Sequence, residues 1–427
     1  MRIFMNKLHL NIKIRLTESF FTSLITFMFL PYMAIYYAKF FSETLAGILI
    51  VVNVIVGLVA SLYGGQLADK LGRKKIMLFS EGLRFISLVV LIFSNSPWHI
   101  WPSLTFIMML VLNIGSGLAL PAAQAMVVDV STTDNRKLIY RLEYWSSNMA
   151  LAVGVGIGGV LFSSHFFELL IIAAVGSLLS FFIVRFCIEE TFFPAIQERV
   201  KLTKIFPDYK IVLRDKIFMI YVLASTLALS MEFQVMNYTG VRLSNITDHF
   251  RLWDTGNIHL SVGGVELFGL LRSENAIIVI LFSLSVGILS KIIKDRWLLI
   301  SGILLNAVGY YFVAIGNNAW LLLIMMVPAT IGELMFYPVK QAYLADIAPV
   351  ESRSVYMAVN SLVGRASTML GGAAITIGHW FPSWLMGLLF LGTGIVAAGL
   401  FLSIMNRLEG RASQLASTPN PSLTQQH

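Results

Sequence analysis

The sequence predicts an all-α integral membrane protein, with twelve transmembrane helices arranged as two pseudo-symmetric six-helix bundles. Three observations carry that expectation. The 427 residues are 57% hydrophobic and only 13% charged, against roughly 25% charged residues in ordinary soluble domains. Apolar runs of about 20 residues, the length that crosses the hydrocarbon core at about 1.5 Å per residue, recur along nearly the whole chain. The gaps between them alternate between basic and nearly free of positive charge, and a segment of the first half returns in the second at a fixed offset. The bilayer interior offers no water to backbone groups, so long apolar runs without alternation are helices rather than barrel strands.

The first run, 16–38, is too long for a signal-peptide core and no small-residue cleavage site follows it, so it reads as a retained helix. Runs at 44–67, 76–94, 102–128, 138–163 and 167–187 complete the first half. Runs at 216–238, 273–290, 297–314, 319–345, 354–378 and 383–406 make the second. Lys and Arg fill the N-terminal tail (Arg2, Lys7, Lys13, Arg15) and the gap after the second span (Lys70, Arg73, Lys74, Lys75). They return at Arg136 and Lys137, from Arg199 to Lys216, at Lys291, Lys294 and Arg296, at Arg353, and at Arg407 and Arg411. The intervening gaps carry Trp98, Trp101, Trp320, Trp380 and Trp384, where an interfacial aromatic belt would sit, and few cations besides Lys39, Arg242 and Arg251. By the positive-inside rule both termini are expected on the cytoplasmic side of the cell membrane. The net charge of +8 is therefore a topology signal and not a nucleic-acid patch. Cys187 stands alone, which excludes an intramolecular disulfide.

The expected layout is an N-terminal bundle (1–188), a cytoplasmic linker (189–215), a C-terminal bundle (216–407) and a disordered cytoplasmic tail (408–427) rich in Ser, Thr, Pro and Gln. The stretch 239–272 reads as a long outer loop, alternating enough for a short hairpin. The internal repeat aligns 113–130 with 330–347: Gly115 with Gly332, Pro121 with Pro338, Gln124 with Gln341, Asp129 with Asp346, and beyond them Arg136 with Arg353. Every pair is 217 apart, since 338 − 121 = 217. The fourth and tenth spans thus hold equivalent places in two halves, the parallel-repeat plan in which a substrate path runs between the halves.

The loop after the second span reads Gly65-Gln66-Leu67-Ala68-Asp69-Lys70-Leu71-Gly72-Arg73-Lys74-Lys75. Gly65 permits close helix approach, Gly72 a tight turn, and Arg73 and Lys74 hold the loop on the cytoplasmic side. Asp69 can accept from a helix N-terminus or from an Arg across the half-interface. At the equivalent place, Gly287 to Arg296, Lys291 replaces the acid, so any gate is asymmetric. In the fifth span, Gly154, Gly158 and Gly159 form a small-residue stripe suited to close, sliding packing, with ordinary packing as the alternative reading.

Charges inside a membrane cost roughly 2.5–3.5 kcal/mol each on insertion scales, so each needs a reason. Glu333 falls in the middle of the tenth span and Arg365 well inside the eleventh; Glu232 lies toward the outer end of the seventh. Asp129, Glu143 and Asp346 sit nearer cytoplasmic ends, and Glu18 and Arg84 in the first and third spans. A carboxylate desolvated in a cavity can bind and release a proton in each cycle. For Glu333 that reading stands beside a structural pair with Arg365. For Glu143 it stands beside pairing with Arg141 or Lys137. Asp129 and Asp346, at the ends of paired helices, lean structural, and Arg365 reads as a fixed counter-charge.

The loop from Gly65 to Lys75 matches the signature loop of the major facilitator superfamily, and Ala150 to Gly159 resembles that superfamily's antiporter stretch with Val155 in place of a proline. Asp134 to Lys137 with Glu143, Tyr144, Trp145 and Asn148, and Thr330 to Glu333 with Pro338, Gln341, Ala345 and Asp346, resemble its LmrP-type multidrug/proton antiporters. The resemblance runs from the first helix to the twelfth. It implies proton-driven export of small lipophilic, often cationic, compounds, with Asp69 gating, Asp129, Glu143 and Glu333 as membrane carboxylates, and Glu232 carried over only weakly. Rival readings are a proton-coupled nutrient importer or a lipid flippase. The sequence has no H-E-x-x-H pair, no G-x-S-x-G elbow and no Walker loop, so an enzyme, a metal centre, a cofactor or direct drive by ATP is not expected.

Overall fold

The computed structural model describes residues 10–131, 133–191, 212–246, 249–255, 258–283, 292–347 and 353–417. Twelve long helices emerge from them. The first half holds α1 (Leu10–Phe40), α2 (Glu43–Leu71), α3 (Arg73–Ser94), α4 (Pro102–Val130), α5 (Thr133–Leu161) and α6 (Phe166–Phe186). The second holds α7 (Lys216–Ser244), α8 (Gly264–Phe282), α9 (Asp295–Ile315), α10 (Ala319–Ile347), α11 (Arg353–Trp380) and α12 (Ser383–Ser417). A two-residue hairpin, β1 (Asn95–Ser96) with β2 (His99–Ile100), links α3 to α4, and a longer one, β3 (Phe250–Thr255) with β4 (Ile258–Val262), lies between α7 and α8.

Local chemistry sets the breaks. Pro31 opens the 3-10 turn Leu30–Tyr32 that interrupts α1. Ser42 Oγ accepts from the Leu45 amide at 3.1 Å and caps α2. Gly72 ends that helix at φ +102°, a backbone region that disfavours any side chain, so α3 can start at the next residue. Asp215 caps α7 by accepting from the Ile217 and Phe218 amides. Its second oxygen accepts from Tyr356 of α11 at 2.9 Å, which ties the cap to the bundle.

Three expectations need correction. The predicted outer loop 239–272 is shorter, because α7 continues to Ser244 and α8 already starts at Gly264, with the expected hairpin between them. Glu266, Arg272 and Glu274 had broken the apolar run; helix tolerates them because Arg272 and Glu266 find partners inside the protein. Helix α12 runs ten residues past the predicted bundle end at 407, to Ser417; residues 418–427 lie outside the described part. Finally, Gly64, not Gly65, makes the close approach to α4. A Cβ at Gly64 would stand 2.8 Å from the Leu118 backbone, whereas one at Gly65 would make an ordinary 3.8 Å contact with Pro121.

The packing repeats between halves. Helix α1 packs on α5 and α6, α2 on α4, and α3 on α4 and α6; in the second half α7 packs on α11 and α12, α8 on α10, and α9 on α10 and α12. Adding six to each number converts one set into the other. The repeat glycines obey the same rule: a Cβ at Gly115 would press on Ser80 of α3, and one at Gly332 on Asn306 of α9. The halves meet mainly through α2 against α11 and α5 against α8. Nine helices among the described residues are apolar enough to cross a membrane by composition; α5, α8 and α11 are not among them. All three line the seam, where one face of a helix meets polar groups of the other half.

Candidate functional site

The central polar cluster belongs to the second half. The longer α7 moves Glu232 from the outer edge to the helix interior, where both terminal nitrogens of Arg272 on α8 donate to its Oε1 at 3.2 Å. Arg272 is 4% exposed and Glu232 20%. One helical turn along α8, Asn275 donates to Thr330 Oγ1 at 3.0 Å and to Glu333 Oε2 at 3.2 Å, both on α10. Tyr310 of α9 is buried beside Glu232 and Arg272, its hydroxyl without a hydrogen-bond partner. Tyr144 of α5, from the other half, lies within electrostatic reach of Glu333, Glu232 and Tyr337, which places Glu333 on the face of its half that looks across the seam.

Glu333 and Arg365 are not a pair. The carboxylate of Glu333 is met by a neutral amide, and the neighbouring cation, Arg272, is engaged by Glu232. Arg365 of α11 instead points at α2, its guanidinium about 4.0 Å from where a Cβ on Gly57 would stand. It is half-buried and has no ion pair among the described residues.

In the first half Glu143 is half-buried, and the cation that it feels is Arg15 of α1; the side chains of Arg141 and Lys137 lie outside the described residues. Arg15 also contacts buried Glu18, which accepts from Thr22 and Ser180 at 3.0 Å each. Glu81 and Arg84 pair on α3 at 3.4 Å. At the loop end of α2, Arg73 bridges Asp69, one turn earlier, and Asp129 of α4 at 3.2 Å. Thr191 adds a hydrogen bond to Asp129 at 3.0 Å. The α3 N-terminus is held by Glu190, not Asp69: its carboxylate accepts from the Arg73 and Lys74 amides at 2.9 and 3.1 Å. That anion satisfies amides with no partner inside their own helix. Asp69 is thus engaged within its own half. The side chains of Asp346, Arg136 and Arg353 lie outside the described residues.

At the opposite end, carrying the α1–α2, α7–α8 and α11–α12 connections and predicted to be outer, the halves are sealed. Ser163 donates to Glu266 at 2.9 Å and Asn245 to Glu43 at 2.7 Å; deeper along the seam Ser273 donates to the Ala152 carbonyl at 2.9 Å. His379 meets the second Glu43 oxygen at 3.2 Å, and Thr376 donates to the Thr44 carbonyl at 3.0 Å. The glycine stripe takes part. Gly154 and Gly158 let α5 press on α1 at Leu24 and Met28, while Gly159 meets Gly269 of α8 across the seam. The Val155 carbonyl accepts from Tyr32 at 2.5 Å, and α5 is continuous through that position.

Several members of these sites escaped the sequence reading. Arg272 had been left in a loop, and Asn275 and Tyr310 carry no motif. Lys340, 3% exposed and 4.9 Å from the Tyr337 ring centroid, sits two turns past Glu333 and was a readable signal: a lysine within an apolar run. Among the described residues no three His, Cys, Asp or Glu side chains converge as metal ligands.

Comparison with known proteins adds the context. The chain is similar to a Na(+), Li(+), K(+)/H(+) antiporter of Planococcus maritimus, 29% identical over 401 residues that cover 91% of this chain and 94% of the relative. It is also similar to the multidrug resistance protein MdtH of Blochmanniella floridana, 22% identical over 77% of this chain and 74% of that one. Among solved structures, a POT family transporter in complex with 5-aminolevulinic acid superposes with a TM-score of 0.74 at 16% identity, covering 93% of this chain and 96% of that one. The nucleoside transporter NupG superposes with a TM-score of 0.70 at 17% identity, over 92% and 99%. The family model described as Major Facilitator Superfamily matches residues 19–256 and 255–424. With its two six-helix halves, its polar cluster on the seam and its sealed end, this multi-pass membrane transporter belongs to the major facilitator superfamily.

Proposed function

We propose that the protein is a proton-coupled antiporter that exports lipophilic cations across the cell membrane by alternating access, with both termini cytoplasmic. The observation that carries the reading is Glu333: a half-buried carboxylate in mid-α10, facing the other half, held by an amide while the nearest cation is engaged by Glu232. A carboxylate in low dielectric needs a compensating charge. Here a proton or a cationic substrate can supply it, one at a time, and that competition is the exchange. Glu143 beside Arg15 would be a second exchangeable acid in the first half. The sealed outer end corresponds to the state that receives substrate from the cytoplasmic side. Opening that end and closing the Asp69–Arg73–Asp129 end would then deliver it outside. The superfamily membership and the MdtH likeness are consistent with this reading.

A second reading is exchange of protons for inorganic monovalent cations, favoured by the name of the Planococcus relative. Glu333 and Thr330 offer oxygen atoms of the kind such ions require, held in place by the Asn275 amide that donates to both.

The test is exchange in proteoliposomes under an imposed pH gradient, wild type beside Glu333→Gln. Ethidium movement that collapses with the gradient and with the substitution supports drug export. Proton release on adding NaCl or KCl, with no dye movement, supports the second reading. Neither response from correctly folded protein overturns both, leaving uptake of a nutrient or lipid flipping.

A further inference from the structure

We propose that the recess bounded by α8, α10 and the β3–β4 hairpin is a second binding site, separate from the Glu333 cavity, for a membrane-dissolved lipophilic monocation whose charge is met by Glu274.

The placement of Glu274 is the first observation. Leu270, Ile277 and Leu281 are exposed by 40%, 48% and 65% and form one stripe of α8 that faces away from the bundle. Glu274 falls on the same stripe by helical spacing. The other faces of the helix are taken: Arg272 and Asn275 look into the polar cluster, and Ser273 bonds to α5. Glu274 is therefore an acid on the lipid side of a membrane helix, ten residues from the helix start at Gly264, about 15 Å at 1.5 Å per residue. Such a charge is costly unless compensated. Yet Oε2 of Glu274 is buried without a hydrogen-bond partner, and no cation among the described residues pairs with it.

The cavity is the second observation. The recess has a volume of about 750 Å³ and is lined by Leu252, Trp253 and Leu260 of the hairpin, Ile278 of α8, and Trp320 and Leu323 of α10. That is the size of a drug-like ligand site. Trp320 Nε1 donates to the Leu252 carbonyl at 3.0 Å and anchors the hairpin over the recess. Trp253 and Trp320 remain 54% and 49% exposed, so the rim is open at the side.

The chemistry selects the occupant. One carboxylate within an apolar, tryptophan-lined chamber fits a bulky apolar ligand bearing one positive charge, to which both indole rings add cation–π attraction. An alkali ion is disfavoured, because a single carboxylate cannot replace its shell of oxygen ligands. An anion is repelled. The site concerns binding from the bilayer and does not require that the Glu333 cavity export drugs, so either proposal can fail without the other.

The probe is a triphenylphosphonium cation bearing an aryl azide, photolysed on the full chain in lipid nanodiscs, with labelled residues mapped by mass spectrometry. Labelling is expected on Leu252, Trp253, Leu260 and 277–282 in wild type, in Glu333→Gln and in Glu274→Asp. Glu274→Gln should reduce it roughly tenfold or more, the lower end for a charge-assisted contact. Ile277→Trp, which fills the recess and leaves the acid in place, should reduce it as well. Equal labelling in Glu274→Gln overturns the proposal, as does equal competition by uncharged triphenylmethane. Loss of labelling when phosphatidylethanolamine is added would assign the recess to a lipid headgroup and overturn it too.

Discussion

Gly47 of α2 offers a direct test of how the sealed end, the outer one in the proposed orientation, closes. A Cβ at this position would stand 2.2 Å from Thr376 Oγ1 and 2.5 Å from the Gly372 carbonyl oxygen, both on α11. The threonine could rotate away at the expense of its hydrogen bond to the Thr44 carbonyl. The Gly372 carbonyl is backbone and cannot. A comfortable carbon–oxygen contact is about 3.3 Å, so Gly47→Ala must move α2 and α11 apart by roughly 0.8 Å at the seam. Overpacking of this kind costs about 1–3 kcal/mol. Under the alternating access proposed above, α2 and α11 separate when this end opens, so the cost falls only on the closed state. The closed-to-open ratio should therefore drop by roughly 5- to 150-fold. Pulsed electron resonance between labels at Lys39→Cys and Trp384→Cys, in a Cys187→Ser background, reads the distance across the outer end. Gly392→Ala has nothing within 4 Å of its new Cβ and should leave the distribution unchanged. Gly117→Ala, which meets the Gly57 carbonyl at 2.6 Å within one half, should lower stability and leave the distance alone. An unshifted distribution in folded Gly47→Ala, or an equal shift in Gly117→Ala, refutes the reasoning.

Other outcomes follow from the ion pairs and the cap. Glu232→Gln or Arg272→Met alone leaves a charge unpaired in mid-membrane and should cost roughly 3–5 kcal/mol, while the double variant should recover much of it; unfolding in SDS measures both, and additive losses would contradict the pairing. Glu190→Gln weakens the cap on α3 and should cost about 1–2 kcal/mol, a cap term plus a helix-dipole term. Unfolding indistinguishable from wild type would show that water serves the Arg73 and Lys74 amides equally well.

The sites were legible to different degrees, and the difference has a physical basis. The turn at Gly72 was readable because it is local, whereas Asp69 was readable only as an acid: its partner is Arg73 one turn on, and the helix N-terminus expected for it is capped by Glu190. Asp129 was readable as an acid, but its bond to Arg73 spans 56 positions and needed the folded bundle. Glu143 was found, whereas its cation Arg15 lies on another helix. Arg272 was misplaced for the reason that makes it important. A charge lowers the apolarity of its own segment, and its compensation by Glu232 comes from 40 residues away. The supposed pair of Glu333 with Arg365 failed likewise: both are charges within spans, but their helices turn them to different neighbours.

By itself the sequence determined that the chain is a bundle of twelve membrane helices in two repeated halves. Apolar run length, charge alternation and a constant offset are properties of the chain alone, and the solvent enforces them. Only the tertiary structure decided which helix faces meet: that α2 and α5 of one half seal against α11 and α8 of the other, that Arg272 belongs to Glu232, and that Glu274 lines the recess beneath the β3–β4 hairpin. Those outcomes depend on helix rotation and depth, which nearly uniform apolar surfaces leave open and which close packing and buried charge pairs then fix.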